Sequence, residues 1–255
     1  MAERVEFAGA HGQRLVGLLD LPSSGAGTAS AVVAHCFTCG KDSIAAARIA
    51  RALTDRGFEV LRFDVTGLGE SEGEFGAATF SMDVADLGAA ATFLGEVRGR
   101  APGLLIGHSL GGAAVLAAAA RIPDVRAVVT IAAPSDPGHV TDLLGVDADD
   151  VDDDSVVRVR IAGRPFTLHK EFLEDIRSQP QSRRIAELGR ALLVMHSPQD
   201  RTVSIDNATE IFRLARHPKS FVSLDGADHL LTRPADARWV ADVVAAWSAR
   251  YLGEG

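Results

Sequence analysis

The sequence predicts an α/β fold, with a mostly parallel sheet of about eight strands flanked by helices and a small inserted cap. Three observations carry this prediction. Short apolar runs of strand length alternate with helical segments from residue 31 onward, which is typical of parallel sheets. An apolar hairpin pattern precedes them, and a Gly-x-Ser-x-Gly motif directly follows one of the runs.

Length and composition set the class of protein. The chain has 255 residues, of which 47% are hydrophobic and 24% charged, so we expect one large domain of ordinary soluble type. The net charge of −8 argues against nucleic acid or an anionic membrane surface as a partner. No stretch approaches the roughly 18 apolar residues of a membrane span, and no apolar leader opens the sequence, so a cytoplasmic location is expected.

The first predicted strands form a hairpin. Residues 14–21 are an apolar run that ends at Pro22, and they can pair with residues 5–7 across His11-Gly12. This pair is expected to be an antiparallel edge of the sheet. The later strands are predicted at residues 31–34, 60–63, 104–106, 127–131, 192–195 and 221–224.

The helices between these strands are predicted from apolar residues spaced three and four apart, which gives each helix one buried face. The residues with this spacing are Ala46, Ile49, Ala50 and Leu53, then Val84, Leu87, Ala91 and Leu94, and finally Val240, Val243, Val244 and Trp247. The alanine-rich residues 113–120 predict a further helix that is buried almost all round.

The alternation breaks over residues 134–186. An acidic loop (147–154), an alternating apolar run (156–161) and a helical segment (171–176) intervene there. So short a segment cannot form a second independent core, but it can cover one end of a sheet. We therefore predict a core made of residues 1–133 and 187–255, with residues 134–186 as an inserted cap or lid.

Ser109 is predicted to be a nucleophile. The motif Gly107-His-Ser109-Leu-Gly111 stands between a buried strand and a helix, which is the context of a nucleophile elbow. Gly107 and Gly111 leave room for the tight turn, and Ser109 is then held strained and exposed. The amide of Leu110, at the helix N-terminus, can donate to an oxyanion.

A serine hydroxyl needs a histidine base and a carboxylate that fixes the tautomer of that histidine. His229 and Asp200 each follow a predicted strand, and the carboxyl ends of parallel strands meet at one edge of a sheet. We therefore expect Asp200 to orient His229, and His229 to deprotonate Ser109. The alternative carboxylates are Asp136, Asp225 and Asp228, of which the last two lie close to the histidine in the chain.

Further groups are expected to hold the substrate. A second oxyanion donor should come from the loop after residues 31–34, where we assign the amide of Phe37. In the predicted cap, Phe166, Leu168 and Phe172 are candidates for an apolar substrate pocket. Since the insertion is short, small to medium substrates are expected.

These motifs resemble the α/β-hydrolase fold family, and residues 35–42 (HCFTCGKD) resemble a subfamily often fused to an OsmC-like domain. Residues 62–73, 107–112 and 161–166 support the resemblance, which runs nearly end to end. It implies a serine hydrolase. Many members have His-Gly-Phe where this chain has His35-Cys36-Phe37, so a thiol stands beside the expected oxyanion donor. No OsmC-like domain is expected in these residues, so peroxide chemistry is not carried over.

The alternative from a different class is a thiol-dependent redox protein. Cys36-Phe-Thr-Cys39 has the spacing of a redox motif before a helix. A pair so close in the chain cannot staple distant parts of a fold, which fits a reducing compartment. A non-catalytic binding protein is a third hypothesis, but it would have no need for Ser109, Asp200 and His229 together.

Two nucleotide-binding motifs are incomplete. Gly67-Leu-Gly69 follows a strand, but Glu72 stands at the third glycine of a dinucleotide motif, so a structural turn braced by Asp64 is favoured. Residues 107–112 have the glycine spacing of a P-loop, but Ala113 replaces its lysine.

No metal and no cofactor are expected. The acidic residues 147–154 do not match a calcium loop, because Ser155 stands at the required glycine. His35, His108 and His196 border strand ends, and we interpret them as buried histidines bonded to backbone.

The sequence therefore predicts a serine hydrolase that cleaves carboxylic esters or thioesters of small to medium acyl substrates through an acyl-enzyme. An acyltransferase, amidase or peptidase that uses the same residues is the alternative within the class. The expected partner is a small acyl substrate, and the oligomeric state is left open, a homodimer included.

Overall fold

A computed structural model describes residues 1–23, 27–146, 156–161 and 164–253. The predicted acidic loop at residues 147–154 lies outside the described residues. None of the helices in the described part of the chain combines the length and the apolar character that crossing a membrane requires.

The strands lie close to their predicted positions. They are β1 (Ala2–Ala8), β2 (Arg14–Asp20), β3 (Ala29–Ala34), β4 (Phe58–Phe63), β5 (Leu104–His108), β6 (Ala127–Ile131), β7 (Val156–Ile161), β8 (Arg164–His169), β9 (Ala191–His196) and β10 (Lys219–Ser223). The described residues form an eight-stranded sheet in the order β1-β2-β4-β3-β5-β6-β9-β10. β2 is antiparallel to β1 and β4, and the remaining neighbours are parallel. The predicted α/β-hydrolase sheet and its antiparallel edge hairpin are confirmed.

The helices cover both faces of this sheet. They are α1 (Ile44–Thr54), α2 (Phe80–Arg98), α3 (Leu110–Ala118), α4 (His139–Leu144), α5 (Lys170–Arg177), α6 (Gln181–Ala186), α7 (Ile205–Leu214) and α8 (Pro234–Leu252). Successive strand residues point to opposite faces. Val32 thus joins the apolar cluster of α2, α3 and α7, whereas Val33 joins the cluster of α1 and α8.

Helix α3 is buried along its whole length. Its small residues allow it to lie close to the sheet, and Gly112 shows how close: a Cβ there would come within 2.4 Å of the Ala133 side chain. The predicted helix at residues 113–120 in fact begins at Leu110, directly after Ser109. The N-terminus of α3 is therefore fixed at the end of β5.

The segment between β6 and β9 contains a hairpin and three of the helices described above. β7 and β8 pair antiparallel in a two-stranded sheet of their own. The inner face of α5 places Phe172, Leu173 and Ile176 in the core cluster of α2 and α3. Gln181 of α6 donates to the carbonyl of Ala113 over 2.9 Å. These contacts tie the segment to helix α3, and its division from the core at residues 134 and 186 stays a prediction.

Candidate active site

Ser109 lies in a tight turn between β5 and α3. Its φ of 55° and ψ of −126° are a backbone conformation that costs about 1–3 kcal/mol for a residue with a side chain. The flanking glycines explain how the turn fits. A Cβ on Gly107 would lie 2.2 Å from the carbonyl oxygen of Gly111, and one on Gly111 would lie 2.4 Å from that of His35. Backbone cannot move out of the way at these positions, so glycine is required.

Ser109, His229 and Asp200 form a chain of hydrogen-bonding contacts. Nε2 of His229 lies 3.1 Å from Oγ of Ser109, and Nδ1 lies 2.7 Å from Oδ2 of Asp200. Asp200 follows β9 and His229 follows β10, so the parallel sheet brings them to the same edge as the end of β5. The arrangement suits a base that takes a proton at Nε2 while a carboxylate holds its Nδ1–H.

Asp200 is held as a carboxylate. Burial acts to raise its pKa, but hydrogen bonds from His229 and from the amides of Val203 and Thr202 outweigh burial, and the pKa is lowered. The carboxyl side chain has no solvent exposure. Its negative charge is therefore directed at the imidazole of His229.

The other carboxylates near the histidine have different partners. Asp228 accepts hydrogen bonds from the amides of Leu230 and Thr232, and Asp225 accepts from the hydroxyl of Ser223. Asp136 accepts from the amide of Gly138. Asp200 is thus the carboxylate that contacts Nδ1 of His229. The three alternatives from the sequence, Asp136, Asp225 and Asp228, bind other groups.

Two more histidines lie near the site, and each contacts a backbone carbonyl. Nε2 of His108 lies 2.6 Å from the carbonyl oxygen of His229, and Nε2 of His196 lies 2.8 Å from that of Val203. Burial lowers the pKa of His108 to about 4, with a contribution from the charge of His229. His108 is therefore neutral at physiological pH. Its bond to the His229 main chain could not be read from the sequence, because it joins residues far apart in the chain.

The loop between β3 and α1 carries Phe37, the expected second oxyanion donor. Cys36 and Cys39 form a disulfide within this loop, and the amide of Cys39 donates to the carbonyl of Cys36 over 3.1 Å. The sequence interpretation of two free thiols therefore differs from the structure. The bond is local, as the short spacing requires, and it constrains the segment that holds Phe37.

A buried ion pair anchors the end of the same loop. Lys41 donates from Nζ to Asp64 over 2.7 Å and to Glu70 over 2.8 Å, and its amide donates to Asp64 over 2.7 Å. The side chains of Lys41 and Asp64 are 5% and 1% exposed. Asp64 also braces the turn at Gly69, where a Cβ would lie 2.1 Å from its carboxylate. Sequence reasoning found the turn but missed Lys41, because a lysine is rarely buried.

The three candidate pocket residues lie near one another but in different surroundings. Phe172 stacks on Phe37, with ring centroids 5.1 Å apart. Phe166 contacts Phe75 at 5.0 Å, and Leu168 is fully buried in the core. Phe172 of α5 is thus joined to the Phe37 loop by an aromatic contact, and the role of the three residues in substrate binding stays a prediction.

The described residues contain no cluster of three histidine, cysteine, aspartate or glutamate side chains that could hold a metal ion.

Comparisons with known proteins show that the chain is similar to hydrolases. The family model Hydrolase_4, described as serine aminopeptidase, S33, matches residues 27–146. The crystal structure of the esterase domain from a Rhodothermus marinus protein is 47% identical, covers 99% of this chain and 100% of its own, and has a TM-score of 0.82. The comparison with curated proteins gave no match.

More distant structures share the fold. Est1E from Butyrivibrio proteoclasticus with ferulic acid bound is 20% identical over 97% of this chain and 99% of its own, with a TM-score of 0.84. An α/β serine hydrolase without lid from Xanthomonas campestris is 20% identical over 96% of this chain and 94% of its own, with a TM-score of 0.67. At this identity the similarity concerns the fold alone.

Proposed function

This chain belongs to the α/β-hydrolase family that includes the esterase domain from Rhodothermus marinus, and we propose that it cleaves carboxylic esters or thioesters of small to medium acyl groups with Ser109 as nucleophile. As a member of this family it is a serine hydrolase of carboxylesterase-like type. The observation that carries the proposal is the contact chain from Ser109 through His229 to Asp200, with distances of 3.1 and 2.7 Å.

The reaction begins with proton transfer and attack. His229 removes the hydroxyl proton of Ser109 through Nε2 while Oγ attacks the substrate carbonyl. Asp200 holds the Nδ1–H tautomer and stabilises the imidazolium that forms. When the tetrahedral intermediate collapses, His229 gives the proton to the leaving alcohol or thiol. Water, activated by the same histidine, then releases the acid from the acyl-enzyme.

The amides of Leu110 and Phe37 hold the oxyanion of that intermediate in this proposal. Leu110 is the first residue of α3, so its N–H has no acceptor within the helix and adds to the positive end of the helix dipole. The Phe37 amide makes no backbone hydrogen bond among the described residues. Two free amides near one carbonyl oxygen are what an oxyanion hole requires.

The nature of the substrate follows from the surroundings of Phe37. Its ring lies against Phe75 and Phe172 at 5.3 and 5.1 Å, so the groups next to the proposed oxyanion site are apolar. Together with Phe166 and Leu168 they favour an apolar acyl or alcohol portion. In this proposal residues 134–186 act as the cap, and the partner is a small acyl compound.

Hydrolysis of p-nitrophenyl acetate, butyrate and octanoate tests the proposal, together with thiol release from a matching thioester. We expect wild type to turn over esters and to be labelled by a fluorophosphonate. Ser109→Ala should lose both properties. Ser182→Ala, which alters an exposed serine of α6, is the matched control and should keep them. A folded wild type that shows neither turnover nor labelling contradicts the proposal.

A thiol-dependent redox activity is the second candidate, because Cys36 and Cys39 are joined in a loop at the site. It requires that a dithiol reductant and a disulfide substrate exchange through this pair. If Cys36→Ser abolished a disulfide reductase activity that Ser109→Ala left intact, this candidate would replace the first. Amide cleavage and acyl transfer by Ser109 are tested with anilide substrates and with added alcohols in the same assays. The resemblance to a subfamily often fused to an OsmC-like domain stays a prediction and adds no step to the mechanism.

A further inference from the structure

A small cavity lies beside the proposed oxyanion hole. Its volume is about 20 Å³, which is room for about one water-sized group. The lining includes Phe37 and Leu110, whose amides are the proposed donors, and Gly111 of the nucleophile helix. Leu87 and Asp83 of α2 form the opposite part of the lining. The cavity is thus built against the groups that would hold the substrate carbonyl.

Asp83 brings a carboxyl group to this cavity. The residue lines the cavity and is partly exposed. The neighbouring acids are satisfied: Asp86 accepts from Thr66 and Gln13, and Asp175 accepts from Ser81. Within the described residues, Asp83 has no hydrogen-bond or ion-pair partner. A carboxyl group without a protein partner is available to a hydroxyl group or a water molecule that enters the cavity.

A second lining residue has an unpaired polar atom. His35 is 7% exposed and its Nδ1 lies 2.9 Å from the carbonyl oxygen of Cys36, while its Nε2 has no hydrogen-bond partner. Burial lowers the pKa of His35, so the ring is neutral. A carboxyl group and a histidine with one unpaired ring nitrogen therefore belong to the lining of one cavity of the size of a single hydroxyl group.

We propose that this cavity receives a hydroxyl group of the substrate, and that Asp83 selects acyl groups that carry one close to the carbonyl. The proposal rests on the hydrolase function proposed above. With the carbonyl oxygen on the amides of Phe37 and Leu110, a hydroxyl one or two carbons away lies within reach of the cavity. A carboxyl group accepts a hydrogen bond from a hydroxyl in either protonation state.

An amine at the same position is less suitable. It would require an ionised carboxylate, whereas burial raises the pKa of Asp83 well above its usual range and the charges of Asp86 and Asp175 raise it further. No lysine or arginine lines the cavity to offset that charge. A carboxyl group whose pKa is raised in this way is better matched by a neutral hydroxyl than by a cation.

The test compares kcat/KM for p-nitrophenyl butyrate, 3-hydroxybutyrate and 3-aminobutyrate, with active sites counted by fluorophosphonate labelling. For wild type we expect the hydroxy ester to exceed the plain ester at least tenfold. Asp83→Leu should lower this ratio at least tenfold, whereas Asp83→Asn, which keeps hydrogen-bonding atoms, should retain most of it. Asp83→Ala gives a second apolar variant if the leucine disturbs folding. Glu96→Gln, an exposed change on the same helix, should leave the ratio as in wild type.

Two results overturn the inference. One is a wild-type ratio near one, which would mean that Asp83 is satisfied by an enclosed water molecule. The other is a preference for the amino ester, which would mean that the cavity binds a cation. If no ester is turned over and Ser109 is not labelled, the hydrolase proposal itself fails, and this inference fails with it.

Discussion

His108 donates from Nε2 to the carbonyl oxygen of His229 over 2.6 Å. The donor direction is fixed, because a carbonyl oxygen only accepts. The residue directly before Ser109 therefore holds the main chain of the residue that would deprotonate Ser109. The proposed nucleophile and the proposed base are therefore connected through His108 and the His229 backbone as well as through their own side chains.

Loss of this hydrogen bond should slow catalysis. We expect His108→Phe, which keeps an aromatic ring but removes the donor, to lower kcat about tenfold. The lost hydrogen bond to the part-buried carbonyl of His229 contributes about 1 kcal/mol, and without it the main chain that positions the imidazole is held less firmly. Steady-state kinetics with a p-nitrophenyl ester measure the effect. His108→Gln can donate from a similar position and should restore most of the rate. A rate near wild type in His108→Phe together with a loss in His108→Gln would show that ring packing, and not the hydrogen bond, matters.

The same histidine should make folding stability depend on pH. Its pKa is about 4 in the folded protein and about 6.5 when unfolded, so the unfolded chain binds the proton first as the pH falls. Stability should therefore decrease between about pH 6.5 and pH 4, by up to about 3 kcal/mol in all. Urea unfolding at a series of pH values measures the slope. In His108→Gln the slope over this interval should be shallower, and an unchanged slope would assign it to other groups.

Replacement of Asp200 tests whether this aspartate, and not Asp225 or Asp228, supports catalysis. Asp200→Asn should lower kcat by about 10³–10⁴-fold, because an amide neither fixes the His229 tautomer nor stabilises the imidazolium. Asp225→Asn and Asp228→Asn are the matched controls, since both carboxylates bind other groups, and each should stay near the wild-type rate. If kcat fell further in either control than in Asp200→Asn, the catalytic carboxylate would be assigned to that control residue.

The glycines of the elbow should not tolerate a methyl group. In Gly107→Ala the new Cβ would lie 2.2 Å from a backbone oxygen, and we expect a loss of about 3 kcal/mol in the free energy of unfolding. Gly88→Ala on α2 is the control, because nothing lies within 4 Å of its Cβ position. There the change should stabilise the protein by about 0.5–1 kcal/mol. Denaturant unfolding compares the two, and a stable Gly107→Ala would mean that the turn can rearrange.

The ion pair behind the Phe37 loop should matter for both stability and rate. Lys41→Met leaves the buried carboxylate of Asp64 without its cation, which typically costs about 3 kcal/mol or more. Because Lys41 ends the loop that carries Phe37, kcat should fall as well. Arg213→Ala removes an exposed pair with Glu210 and should leave Tm and kcat near wild type. If Lys41→Met keeps the wild-type Tm, the pair does not stabilise the loop.

Local patterns in the sequence predict much of the fold. Each strand or helix has a hydrophobic pattern set by its own burial. The pattern can be read one segment at a time, and it therefore predicts the sheet and its edge hairpin. The tight turn at Ser109 requires glycine at fixed positions, and that requirement is visible in the motif. The order of Ser109, Asp200 and His229 along the chain, each after a strand, is enough to expect them at one edge of the sheet.

Other features depend on contacts between distant segments. The choice of Asp200 over Asp228 is made by the way the loops after β9 and β10 fold toward each other. The burial of Lys41 and the unpaired carboxyl group of Asp83 depend on which side chains surround them after packing. The sequence by itself determined the fold and the set of chemical groups, because these follow from local burial and backbone geometry. Only the tertiary structure decided which groups are paired and which face a cavity, because hydrogen bonding and solvation depend on neighbours from separate parts of the chain.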